Sequence, residues 1–130
     1  NLAKRFGARA MLLDWELPNV QPRQPGTRIV FPASMLDRKG AREVHEAARR
    51  LNISIDSVTG AGWLDDVAAV VLPSFVEARP RRLLEAIAAG IPVIASHECG
   101  VDGLSGVTSI DAGDAGALAQ ALHARLRIRR

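Results

Sequence analysis

Val67-Ala-Ala-Val-Val-Leu72 is a short, unbroken apolar run weighted toward β-branched residues. A strand that is apolar on both alternating faces needs cover on both, the situation of a strand inside a helix-flanked sheet. The residues after it narrow the arrangement. Pro80 suits the first position of a helix, Leu84, Ile87 and Ala88 recur along one face, and Gly90 ahead of Ile91-Pro92 stops it. A further strand is predicted from Gly90 to Ala95. Strand, helix and strand in this order predict a βα unit with parallel strands.

The alternation extends both ways. Arg28 to Phe31 reads as a strand leading to a turn at Lys39-Gly40. Val44, Ala47, Ala48 and Leu51 recur at helical spacing among charged residues, which predicts a helix over 41–51. Ile53 to Val58 alternates as a strand would, and Thr59-Gly60-Ala61-Gly62 reads as a turn. Asp114 suits a cap ahead of Leu118, Ala121, Leu122 and Leu126, a final amphipathic helix with a basic tail. Towards the start, Asn1 to Phe6 reads as a helical remnant and Ala10 to Leu13 as a strand or the lead into a linker. Pro18, Pro22, Pro25 and Gly26 mark that linker as extended. The expected organisation is a remnant and interdomain linker over 1–26, then one α/β domain over 27–130. That domain is Rossmann-like, with a mainly parallel sheet and helices on both faces. One step does not fit this scheme. Only about eight residues separate Val58 from Val67, whereas a helical crossover between parallel strands needs about 10–12. Either the sheet lacks a βα unit there or an insertion is missing from the sequence.

Open α/β sheets place their ligands beyond the carboxyl ends of their strands. Glu77 falls in the loop after the Val67–Leu72 strand, and Glu85 eight positions later in the second turn of the next helix. Helical side chains lean toward the helix start, so Glu85 reaches back toward whatever that loop binds. Unpaired N–H groups of the first turn favour an anion such as phosphate. Carboxylates repel phosphate, which makes a sugar or ribose hydroxyl their better partner.

Val71-Leu72-Pro73-Ser74, Glu77, Leu84-Glu85-Ala86 and Ala89-Gly90-Ile91-Pro92-Val93-Ile94-Ala95 together resemble the donor-binding half of retaining GT-B glycosyltransferases, the GT4-like group. The resemblance takes in the Arg28 to Gly40 segment upstream and Gly106 to Ala119 downstream. It implies that Glu77, the first glutamate of the E-x7-E pattern, faces the donor sugar in a catalytic role and that Glu85 holds ribose hydroxyls. Lys39 would pair with the donor diphosphate, as a flexible ammonium does well. Backbone amides around Arg79 to Arg82 would complete the cradle. The chain departs from the family at Ala33-Ser34, which stands where Gly-Arg is usual, and at Ala78-Arg79-Pro80 in place of a glycine-rich turn. Ser34 becomes a candidate donor contact, and Arg79, Arg81 and Arg82 candidates to replace the missing charge. The implied activity is retaining glycosyl transfer from a nucleotide-sugar donor, with no metal and no cofactor beyond the donor itself. The acceptor would be bound by an N-terminal domain, and a start at Asn1 together with cover of only the second half of such an enzyme suggests that this domain is missing.

Composition excludes several other classes. The net charge is only +3, aromatic residues make up 4% and tyrosine is absent, so platforms for stacking nucleic-acid bases are scarce and nucleic acid is not an expected partner. Cys99 is the lone cysteine, which rules out an intrachain disulfide and a cysteine-rich zinc site and suits the cytoplasm. No stretch reaches the ~18 apolar residues of a membrane span, and membrane association is only weakly indicated. His45, His97 and His123 lack partners at metal-ligand spacing, so no metal site is assigned. His45 reads as exposed, Trp63 as packing, and a Cys99–His97 nucleophile pair as unfavoured because neighbouring positions seldom give the needed geometry. The alternative to the enzyme is a non-catalytic Rossmann-like module that has lost donor binding and serves assembly. The two departures and the short Val58 to Val67 connection favour that alternative.

Overall fold

The computed structural model describes residues 17–77 and 80–126, so the expected features over 1–16, Ala78, Arg79 and the basic tail lie outside the described residues. Strands β1 (Arg28–Phe31), β2 (Asp56–Ser57), β3 (Val67–Leu72), β4 (Val93–Ser96) and β5 (Val107–Ile110) form one sheet in the order β2-β1-β3-β4-β5. Every pairing in it is parallel. Three helices cover it: α1 (Ala41–Leu51), α2 (Arg81–Ala88) and α3 (Ala115–Leu126). The chain steps outward one way from β1 to β2 and the other way from β3 to β4. Right-handed crossovers then put α1 and α2 on opposite faces, and α3 packs beside α1. This is the α/β, Rossmann-like fold that the alternation of elements implied.

The core follows from the sequence pattern. Val30, Phe31, Val70, Val71, Val93 and Ile94 of the inner strands are fully buried, sealed by Val44 and Ala47 of α1, Leu83 of α2 and Leu118 and Leu122 of α3. Each large apolar side chain so buried contributes about 1.5–3 kcal/mol. Helix α1 occupies the residues its periodicity predicted, and Asn52 ends it in the left-handed conformation at φ 56°. Helix α3 is capped as expected, with the Asp114 carboxylate accepting the Ala117 N–H at 2.9 Å.

Elsewhere the expectations need correction. Helix α2 begins at Arg81 with Pro80 as its N-cap, and its buried face is Leu83, Leu84, Ala86 and Ile87. Gly90, at φ 82°, closes that helix, with the Ile91 N–H donating to Ala86 O, so β4 starts only at Val93. The Ile53 to Val58 strand shrinks to the exposed pair Asp56–Ser57. Ile53 and Ile55 alternate because they pack against the edge of the core, while the Ile53 N–H still serves the end of α1 by donating to Ala48 O. Strand β5 has no counterpart among the expected elements.

The short connection across residues 58–66 carries no helix. It passes over β1 to reach β3 and returns from the level of Phe31 to that of Arg28; two strand spacings and three residues of rise make about 14 Å, and nine residues extend to about 30 Å, so the path is within reach. Trp63 and Leu64 are buried along it and supply the apolar cover a helix would have given. Polar ties fix its far end: the Asp66 carboxylate accepts from Thr27 N–H (3.1 Å) and Thr27 Oγ1 (2.7 Å), and Arg28 donates to Asp65 O at 3.0 Å.

Candidate functional site

The two directions of winding meet between β1 and β3, and the loops that leave their carboxyl ends diverge there. A cleft of about 440 Å³ lies at this point. Its walls are Pro32 to Ser34 after β1, Arg38 and Lys39 of a short 3-10 turn (Asp37–Lys39), Glu77 after β3, and Pro80 to Leu83 at the start of α2.

Lys39 Nζ and Glu77 Oε1 stand 2.9 Å apart, with side chains 26% and 11% exposed. A pair this sheltered is screened less than a surface pair and holds the two loops together. Other bonds stitch the same seam. Phe75 N–H donates to Arg38 O at 2.9 Å, and the buried Ser74 hydroxyl lies 2.7 Å from Val76 O and 3.3 Å from Arg38 O, able to serve one of them at a time. Ser96 Oγ donates to Ser74 O at 2.5 Å, fastening the loop to the end of β4. Gly40 ends the turn at φ 93°, and a Cβ there would lie 2.4 Å from Pro73 O. Only glycine lets the lysine turn approach the β3 loop this closely.

A family model for glycosyl transferases group 1 matches residues 37–127. The chain belongs to that family. No curated protein and no solved structure matches it. In this group 1 glycosyltransferase domain, the match spans the lysine turn, both glutamates and α3. Of the residues singled out by sequence, Ser34, Lys39, Glu77, Arg81 and Arg82 all line the cleft. Glu85 is not among the described residues that do; its carboxylate accepts the Trp63 indole N–H at 3.2 Å. The Arg82 guanidinium is turned to structural use, donating to Pro32 O at 3.4 Å and to Thr59 O. Arg81 is exposed at the cleft. Arg38 and Thr59 also line it, and sequence reasoning missed both. Arg38 is readable as the neighbour of Lys39 in a tight turn, whereas Thr59 arrives only through the short crossover.

The rim beyond β4 carries a second cluster in this glycosyltransferase domain. His97 Nδ1 lies 2.5 Å from Asp102 Oδ2 and Nε2 3.5 Å from Asp111 Oδ1. The Asp102 hydrogen bond, helped by the charges of Asp102, Asp111 and Glu98, raises the His97 pKa above its ordinary value, with desolvation opposing. Stabilisation by protonated His97 is therefore complete below about pH 6.5 and fades as pH rises through the raised native value. Proton NMR titration should place native His97 above its value in an Asp102→Asn variant. Equal values would remove the aspartate from this account. Cys99 is no nucleophile: it is 1% exposed, burial pushes its thiol up to about 11, and His97 is turned to its aspartates. Among the described residues no group of three or more His, Cys, Asp or Glu side chains is placed to hold a metal, and no helix is long and apolar enough to cross a membrane.

Proposed function

We propose that the cleft binds a nucleotide-activated sugar and presents it for transfer to an acceptor held by a separate N-terminal domain. The observation that carries this reading is the Lys39–Glu77 pair, set at the switch point of a sheet whose family transfers glycosyl groups. The donor diphosphate would take Lys39 from Glu77, with Arg81 and the first-turn N–H groups of α2 completing the anion cradle. Glu77, released, would accept hydroxyls of the sugar. Lys39 and the helix terminus would then stabilise negative charge on the departing diphosphate, without a metal and with anomeric configuration retained. Glu85, bonded to the Trp63 N–H and not among the described residues lining the cleft, would have to turn toward it to hold the ribose.

This ligand exchange has a testable sign. Glu77→Gln removes the carboxylate that competes for Lys39, so calorimetry should find a bare nucleoside diphosphate bound more tightly. The matching nucleotide sugar should gain less, or lose, because its sugar contact is weakened. Parallel losses for both ligands would mean that Glu77 does not compete with phosphate.

A second reading, a non-catalytic module, has its own support. Lys39, Arg82 and Glu85 already have partners within the chain. In that reading these bonds are permanent and no nucleotide sugar binds.

A further inference from the structure

Phe75 and Val76, the two residues ahead of Glu77, are 42% and 65% exposed, so apolar packing does little to fix the segment that carries this carboxylate. Hydrogen bonds hold it instead. Ser74 is fully buried, and its hydroxyl lies 2.7 Å from Val76 O and 3.3 Å from Arg38 O. These carbonyls belong to the peptide units that lead into Glu77 and Lys39, the ion pair of the cleft. Their other bonds differ. Arg38 O also accepts the Phe75 N–H at 2.9 Å, whereas Val76 O has no second partner among the described residues. The shorter bond is therefore the one whose loss leaves a peptide unheld, and that peptide ends at Glu77. Ser74 is itself held from behind, since its carbonyl accepts from the Oγ of Ser96, fully buried at the end of β4.

A buried hydroxyl has to be satisfied, a demand that alanine in its place would not make. Here two buried hydroxyls act in series, from the end of a core strand to the peptide of the site glutamate. Neither serine lines the cleft. We propose that Ser74, braced by Ser96, is a positioning residue for Glu77 that sets its carboxylate for the sugar hydroxyls of the donor. The part concerning the sugar rests on the cleft being a nucleotide-sugar site; the hold on Glu77 does not.

Ser74→Ala tests this by two readouts. The first needs no ligand: Lys39→Ala and Glu77→Gln, made singly and together, should be non-additive in urea unfolding of the parent and additive in the Ser74→Ala background, because the pair is no longer held in register. The second is calorimetry. Ser74→Ala should weaken the nucleotide sugar about tenfold while a bare nucleoside diphosphate binds as it does to the parent, or more tightly. A serine that only stabilised the fold would shift the unfolding midpoint without separating the two ligands. If Ser74→Ala fails to fold, Ser96→Ala, which frees the Ser74 carbonyl, is read in the same way. The proposal is overturned if the Lys39–Glu77 coupling is absent from the parent or survives the substitution, if the nucleotide sugar binds as before, or if both ligands lose equally. A parent that binds no nucleotide sugar would remove the donor-cleft reading, and the unfolding cycle would then decide on Ser74 alone.

Discussion

Gly40→Ala should destabilise the domain by about 2–5 kcal/mol, combining the cost of a left-handed alanine with overlap against a neighbouring backbone. The overlap is concrete: the new Cβ would meet Pro73 O at 2.4 Å and Pro73 Cγ at 2.6 Å. Neither atom is the free end of a flexible side chain, so the lysine turn or the β3 loop has to move. Either shift separates Lys39 from Glu77 and disturbs the start of α1, for which Gly40 is the N-cap. Urea unfolding followed by circular dichroism should show an earlier midpoint with an unchanged slope. A loss below about 1 kcal/mol would show that the seam yields easily and does not position the lysine.

Lys39→Ala carries the largest expected effect on binding. It removes the cleft's sheltered ammonium and leaves the Glu77 carboxylate, 11% exposed, facing any incoming phosphate. Loss of a charge-assisted hydrogen bond costs about 1.5–3 kcal/mol, so a nucleoside diphosphate should bind about tenfold to a hundredfold more weakly. The bare nucleoside offers no anion and should lose little. Calorimetry with both ligands on both proteins makes the comparison, and equal losses would contradict a phosphate role for Lys39.

The parts of this fold that were legible in the sequence are those whose pattern is local and buried on the expected side. Helix α1 and strands β1 and β3 lie where periodicity and apolar runs put them, because core residues such as Val44, Phe31 and Val71 dominate their segments. Strands β2 and β5 sit at the two edges of the sheet and carry polar residues such as Asp56, Thr108 and Ser109, so β2 is found only as part of a longer expected strand over 53–58 and β5 is not separated from loop. The crossover lacks any helical period, and its apolar anchors Trp63 and Leu64 gain meaning only once the strand order is known. The site divides in the same way. Glu77 and Lys39 were each readable from their own turns, but their contact spans 38 positions and depends on β1 lying beside β3. The Trp63 partner of Glu85 and the Thr59 partner of Arg82 come from that crossover, whose path no local pattern describes.

The central claim is that the cleft between the β1 and β3 loops holds a nucleotide-activated sugar. Calorimetric titration of the chain with UDP-, GDP- and ADP-sugars tests it most directly, with the Lys39→Ala protein titrated alongside. The account predicts that one of these donors binds with a single site and that Lys39→Ala weakens it about tenfold or more. A chain that folds normally and binds none of them, or binds one equally well without Lys39, would contradict the account.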